Sequence, residues 1–136
     1  DMSVVETMLS DSNVIMGLGD GGAHVGFILD AGFPTWLMKY WGRERGRFSM
    51  PEVIRRLTSD TAEAAGLHDR GVIEVGKKAD LNVIDYDNVN FGKPYVTFDL
   101  PAGGRRLQQK ASGYDATIVS GLCHVARPGA GRGAGC

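Results

Sequence analysis

Within this 136-residue chain, the residue best placed for chemistry is Asp20, set in Gly19-Asp20-Gly21-Gly22-Ala23-His24. It follows Val14-Ile15-Met16-Gly17-Leu18, an apolar run without alternation that is bounded by turn residues. Such a run reads as a strand buried on both faces of a parallel sheet. Barrel enzymes carry their reacting groups at the C-terminal ends of strands of this kind. A carboxyl group held there can take a proton from one reactant and deliver it to another, which is worth roughly 10²- to 10⁴-fold in rate. The flanking Gly19, Gly21 and Gly22 permit positive φ and the close approach of a ligand. On local pattern alone, Asp-Gly-Gly is also an ordinary turn, and both readings stand at this point.

The other chemically capable side chains are scattered. His24 lies four residues beyond Asp20 in the same loop, where it either lines a substrate pocket with Gly21 and Gly22 or bonds a backbone carbonyl. His24, His68 and His124 are isolated, with no pair at a ligand spacing of i, i+2 or i, i+4. A catalytic zinc takes about three protein ligands. No such set is visible in the spacing of these histidines. Arg43, Arg45 and Arg47 either clamp a substrate carboxylate with their planar guanidinium groups or stand on the surface. Trp36, Tyr40 and Trp41 read as packing residues. Lys77 and Lys78 read as solvated turn residues, and Asp80 and Asp85 as residues that serve turns and strand edges.

The elements that must position these groups divide near residue 68. Val5 to Ser10 reads as the end of a helix, and Asp11-Ser12-Asn13 as a turn. Trp36, Leu37, Tyr40 and Trp41 share one helical face between Pro34 and Gly42. Ser49-Met50-Pro51-Glu52 is a capping box that opens a helix with Val53, Ile54 and Leu57 as its buried stripe. Asp60-Thr61-Ala62-Glu63 repeats that pattern, with Gly66 as a stop. Beyond Leu67 the texture is that of strands: Gly71 to Val75, Ala79 to Asp85, Tyr95 to Leu100, and Ala116 to Val125 with a hairpin turn at Ser120-Gly121.

Composition removes several function classes. Fifteen Lys and Arg balance sixteen Asp and Glu for a net charge of -1, so no basic face for nucleic acid is expected. No apolar run reaches the 18 or more residues of a membrane span. Two cysteines, Cys123 and Cys136, cannot build a disulfide framework, and that usage fits a reducing, cytoplasmic setting. Cys123 reads as a small buried hydrophobe and Cys136 as a terminal thiol. The first residue is Asp and lacks a signal-peptide plan behind it, which suggests a start inside a longer reading frame. The glycine-rich stretch after Pro128 reads as a flexible tail.

A series of motifs in fixed order carries a resemblance. Gly19-Asp20-Gly21-Gly22-Ala23-His24 is followed by Leu57-Thr58-Ser59-Asp60-Thr61-Ala62, Gly66-Leu67, Asp69-Arg70-Gly71 and Val75-Gly76-Lys77-Lys78-Ala79-Asp80-Leu81-Asn82-Val83-Ile84-Asp85. This order resembles the C-terminal portion of the amidohydrolase superfamily. Asp99-Leu100-Pro101-Ala102-Gly103-Gly104-Arg105-Arg106 and Ala126-Arg127-Pro128-Gly129 resemble its branch of N-acyl-D-amino-acid deacylases, the D-aminoacylases. Gly19 departs from the pattern, which often carries Ser before this Asp.

The resemblance implies an α/β fold: residues 1–68 as the last β/α unit of a (β/α)8 TIM-type barrel, residues 69–127 as strands of a small β-sandwich, and residues 128–136 as a tail. It implies zinc, one or two ions, bound mostly by ligands this chain lacks, with Asp20 beside the metal-bound water as general acid/base. It implies hydrolysis of the amide of a small N-acyl amino acid in the full-length protein, and an inactive chain when residues 1–136 stand alone. A parallel strand without barrel neighbours leaves its edges and faces uncovered, so the chain alone is expected to be aggregation-prone or loosely ordered. A non-catalytic fragment or assembly module is the rival reading, and a cyclic-amide hydrolase of the dihydropyrimidinase kind the lesser one.

Overall fold

The computed structural model describes residues 1–126 apart from Leu18, Val25 and Phe27. The expected tail at 128–136 lies outside the described residues.

Among the described residues, the first half carries four α-helices, a 3-10 turn and a π-helical stretch. Helix α1 (Met2–Ser10) starts at Asp1, whose carboxylate accepts from the Ser3 N–H at 3.0 Å. Helix α2 (Phe33–Trp36) grows out of a 3-10 turn at Asp30–Gly32 and widens without a break into π-helix over Leu37–Glu44. The wider winding is visible in the Arg45 N–H, which reaches back five residues to the Tyr40 carbonyl at 2.8 Å. Helix α3 (Met50–Leu57) begins at Ser49, whose Oγ accepts from the Glu52 N–H as the capping box requires. The reciprocal half of that box is absent, because Glu52 instead takes Arg56 at 3.0 Å.

Helix α4 (Ser59–Ala64) is present but not capped as expected: Asp60 pairs with Arg55, and the cap residue Thr58 turns its hydroxyl back to the Ile54 carbonyl at 2.7 Å and makes no capping bond. Its end matches the sequence. Gly66, at φ +70, donates to Glu63 while Leu67 donates to Ala62, a Schellman pair that a side chain at Gly66 would strain.

The second half is built from short antiparallel ladders. Strands β1 (Leu81–Ile84), β6 (Tyr114–Val119) and β7 (Leu122–Ala126) form one three-stranded sheet in the order β1-β6-β7. Strands β3 (Tyr95–Leu100) and β4 (Gly104–Gln108) form a hairpin, and β2 (Asn90–Phe91) pairs with β5 (Ala111–Ser112). The β6–β7 turn is the expected Ser120-Gly121, both residues at positive φ as a two-residue hairpin prefers. Asp80 secures this turn, because its Oδ1 accepts the Ser120 N–H at 2.7 Å.

Two expected strands do not form. Residues 14–17 enter no ladder, and Ile15 is half exposed while only Met16 is buried. Residues 71–75 also remain unpaired, with Ile73 at 91% and Val75 at 102% exposure. A strand needs a neighbour to satisfy its backbone, and a parallel one needs neighbours on both edges. The ladders among the described residues are antiparallel and engage neither segment. A barrel is therefore not shown in these residues; what is shown is a mixed helix-and-strand architecture.

The two halves share one core. Leu37, Met38 and Trp41 of the π-helical stretch pack with Phe48, Val53 of α3, Met16 and Val89, and Ile84, Tyr86 and Tyr114 close the cluster from the strand side. Trp41 is 1% exposed and meets Trp36, Tyr40 and Phe48 edge-on or tilted, geometries that aromatic rings favour.

Polar bonds cross the same seam. Thr35 and Tyr114 share a hydroxyl hydrogen bond of 2.6 Å. Arg43 donates to three backbone carbonyls, those of Tyr86 (2.5 Å), Asp87 (2.9 Å) and Val89 (2.8 Å). Gly42 lets Tyr86 approach, since a Cβ there would stand 2.8 Å from its hydroxyl oxygen.

The loop between the halves is tied by charge. Lys77 donates to the His68 carbonyl at 2.6 Å, and Lys78 pairs with Asp69 at 3.1 Å, so neither lysine is simply solvated. Arg70 bridges Asp69 and Asp80, at 3.0 Å from each. Bonds from Arg70 and then Lys78 pull the Asp69 carboxyl down to about 2.

Two predictions follow from these contacts. Replacing Arg43→Met removes charge-assisted bonds to three carbonyls and is expected to cost about 2–3 kcal/mol. A urea midpoint equal to wild type would contradict the clamp, and Arg43→Lys is expected to recover only part of the loss because a point charge cannot fork. For Asp69, a folded pKa below the ordinary value gives stabilisation that is complete above the ordinary carboxylate range and disappears as pH falls through about 2. Carboxyl NMR should therefore place its midpoint near 2, rising in Arg70→Gln. An ordinary midpoint in the wild type would contradict the ion-pair geometry.

Candidate functional site

The loop carrying Asp20 is a tight turn stacked on the start of the helical run at residue 30. The Ala23 N–H donates to the Asp20 carbonyl at 2.8 Å, Gly22 sits at φ +97 and His24 at φ +51. Asp20 is exposed, and so are Gly21, Gly22 and His24. The structure thus brings the four sequence-chosen residues together in one turn, but not at the rim of a strand, because residues 14–17 have no ladder to end.

What holds the turn was not foreseen. The Asp20 N–H donates to Asp30 Oδ2 at 2.9 Å. Around that bond the chain reversal is very close: a Cβ at Gly19 would lie 3.0 Å from the Asp30 carbonyl oxygen, and one at Gly21 would lie 2.7 Å from Ala31 Cβ. The two glycines beside Asp20 therefore serve close backbone approach. Gly19, the departure from the family pattern, accommodates the Asp30 carboxylate in this packing.

Asp30 also borders a groove of about 270 Å³ formed with Leu29, Gly32, Phe33, Trp36, Phe91 and Gln109. Its lining is mostly aromatic and apolar, with Asp30 and Gln109 as the polar residues. Sequence reasoning missed the groove because Phe91 and Gln109 meet Trp36 only through the β2–β5 pairing. A hint existed in Asp30 itself, an acid four residues before a helix-opening Pro34.

The arginine cluster is not a substrate clamp here. Arg43 is committed to the carbonyls of residues 86–89, Arg45 donates twice to the Tyr40 hydroxyl and lies over its ring, and Arg47 pairs with Glu6 at 2.7 Å.

The metal implied by the resemblance does not fit the groups present. About three ligands are needed, and no cluster of three or more His, Cys, Asp or Glu able to hold an ion occurs among the described residues. No helix among the described residues is long and apolar enough to cross a membrane.

Comparison with known proteins decides the lineage: residues 3–123 match the Amidohydrolase family. The chain belongs to the amidohydrolase family. It is 36% identical over 103 residues to a 5-methylthioadenosine/S-adenosylhomocysteine deaminase of Desulfitobacterium hafniense (strain DSM 10664 / DCB-2), a match that covers 69% of the chain and 22% of that protein. The same deaminase from strain Y51 matches equally. An alpha-D-ribose 1-methylphosphonate 5-triphosphate diphosphatase of Escherichia coli (strain K12) is 45% identical over 38 residues, 28% of the chain and 10% of that protein. The amidohydrolase chain thus spans about a fifth or less of these relatives' lengths. No solved structure matches it.

Proposed function

We propose that this amidohydrolase segment supplies the proton-transferring carboxylate of an enzyme that hydrolyses C–N bonds, with N-acyl-D-amino acids as substrates. The observation that carries the reading is the family match over residues 3–123, which includes Asp20 on a turn tied to Asp30. In this reading Asp20 accepts a proton as water attacks the carbonyl carbon. The new C–O bond forms, the C–N bond breaks, and Asp20 returns the proton to the departing nitrogen. Every atom is accounted for: water is consumed, and a carboxylate and an amine leave.

Zinc, which the family resemblance implies, would be held by residues outside those described. The Asp-Gly-Gly-Ala-His loop and the Asp99-Leu100-Pro101 stretch support the D-aminoacylase branch. The 36% identity to a deaminase supports a second reading, in which the departing nitrogen is an amino group and ammonia is released. Proton traffic through Asp20 is the same in both.

The test is Asp20→Asn in the holoenzyme that carries residues 1–136. Turnover is expected to fall by roughly 10²- to 10⁴-fold. Release of carboxylate from N-acetyl-D-amino acids supports the first substrate class, and ammonia release from 5-methylthioadenosine the second. An Asp20→Asn variant with most of its turnover intact contradicts both and favours a non-catalytic role.

A further inference from the structure

We propose that Asp30 is the positioning residue for Asp20, a role that rests on the reading of Asp20 as the proton carrier. Asp20 sits in a glycine-rich stretch, Gly19 to Gly22, whose own stiffness cannot fix where its carboxylate points. Glycine loses more conformational freedom on ordering than any other residue, so such a turn needs an external tie. The tie observed is the Asp30 carboxylate, which accepts the Asp20 N–H at 2.9 Å.

Three further observations favour a built contact. First, the acceptor is a carboxylate and the donor a backbone N–H of the very residue that carries the reacting group, a charge-assisted bond of the stronger kind. Second, both neighbours of Asp20 lack the Cβ atoms that would keep Asp30 and Ala31 away. Third, Asp30 opens the helical run that continues through Thr35, Leu37, Met38 and Trp41, each of which is buried. An acid in that first turn also faces the positive end of the helix. The carboxylate therefore stands at the start of a helical run whose later residues are buried, and it reaches across to the glycine-rich turn.

Asp30 itself touches no reacting atom in this arrangement. Its removal should blur the orientation of Asp20 and leave the binding of substrate nearly as it was. The effect then falls on kcat and spares KM.

The experiment compares Asp30→Ala, Asp30→Asn and Asp20→Asn in the holoenzyme containing this chain. Asp30→Ala deletes the acceptor and is expected to lower kcat about 10- to 100-fold, with KM changed by less than about threefold. Asp30→Asn keeps a side-chain oxygen in place and is expected to bring kcat back to within about threefold of wild type. Residue-resolved hydrogen exchange supplies a readout independent of turnover. The Asp20 N–H should be protected in the wild type and in Asp30→Asn, and released in Asp30→Ala.

Wild-type kcat in Asp30→Ala, or equal losses in Asp30→Ala and Asp30→Asn, would overturn the proposal. If Asp30→Ala does not fold, an Asp20 N–H that exchanges freely in the wild type overturns it as well. The two levels separate cleanly: turnover retained in Asp20→Asn sinks the reading of Asp20, whereas an inactive Asp20→Asn beside an unaffected Asp30→Ala sinks only the role of Asp30.

Discussion

The contact on which this architecture depends is the grip of Arg43 on the carbonyls of Tyr86, Asp87 and Val89. A guanidinium presents several N–H donors in a rigid plane, so it can satisfy a run of carbonyls that turn away from any ladder. Those carbonyls belong to the segment between β1 and β2, where the chain leaves one sheet before joining another. Without a donor there, the bend would leave backbone oxygens poorly paired beside an apolar core. With it, Val89 is fully buried in the same cluster as Trp41 and Leu37, and residues of the helical and strand halves share one core.

That unit gives the exposed loop an anchor. Arg43 and Trp41 hold the π-helical stretch, the stretch is continuous with α2, and α2 continues back to Asp30. From Asp30 a single hydrogen bond reaches Asp20. Wide π-type winding is uncommon and is often found near functional sites. Here it aligns Arg43 with the strand side while Tyr86 donates to the Met38 carbonyl at 3.4 Å. Burial falls along the same path, from Trp41 in the core to the exposed Asp30 and Asp20.

Local signals were legible in the amino-acid sequence wherever the chemistry is local. Ser49 and Glu52 announce α3, Gly66 announces the end of α4, and Ser120-Gly121 announces the β6–β7 turn, because caps and tight turns are settled by a few neighbouring atoms. β3 was legible from alternation over Tyr95 to Leu100. Its partner β4 was not, since Arg105 and Arg106 interrupt the apolar pattern, Arg106 turning aside to pair with Asp99.

The two unpaired segments show the limit from the other side. Residues 14–17 and 71–75 carry apolar runs that demand burial, but a run cannot say who its neighbour is, and no ladder among the described residues accepts either. For the candidate site, Asp20, Gly21, Gly22 and His24 were found together as expected, while Asp30 was not anticipated. Its partner is ten residues away across a reversal that only the folded backbone defines. Arg43 was equally hidden, with its carbonyl partners more than forty residues downstream. Family membership was legible because the order of short motifs, Gly19 to His24 and then Val75 to Asp85, survives even where individual strands do not form.

The account comes down to where one carboxylate lies when substrate is bound. A crystal structure of the holoenzyme containing this chain, with a non-hydrolysable N-acyl-D-amino-acid analogue, measures this directly. The account predicts the Asp20 carboxylate within about 2.6–3.2 Å of the nitrogen that would depart, the reach a proton transfer needs. An analogue bound away from the Gly19 to His24 turn, with Asp20 facing bulk water, would contradict it.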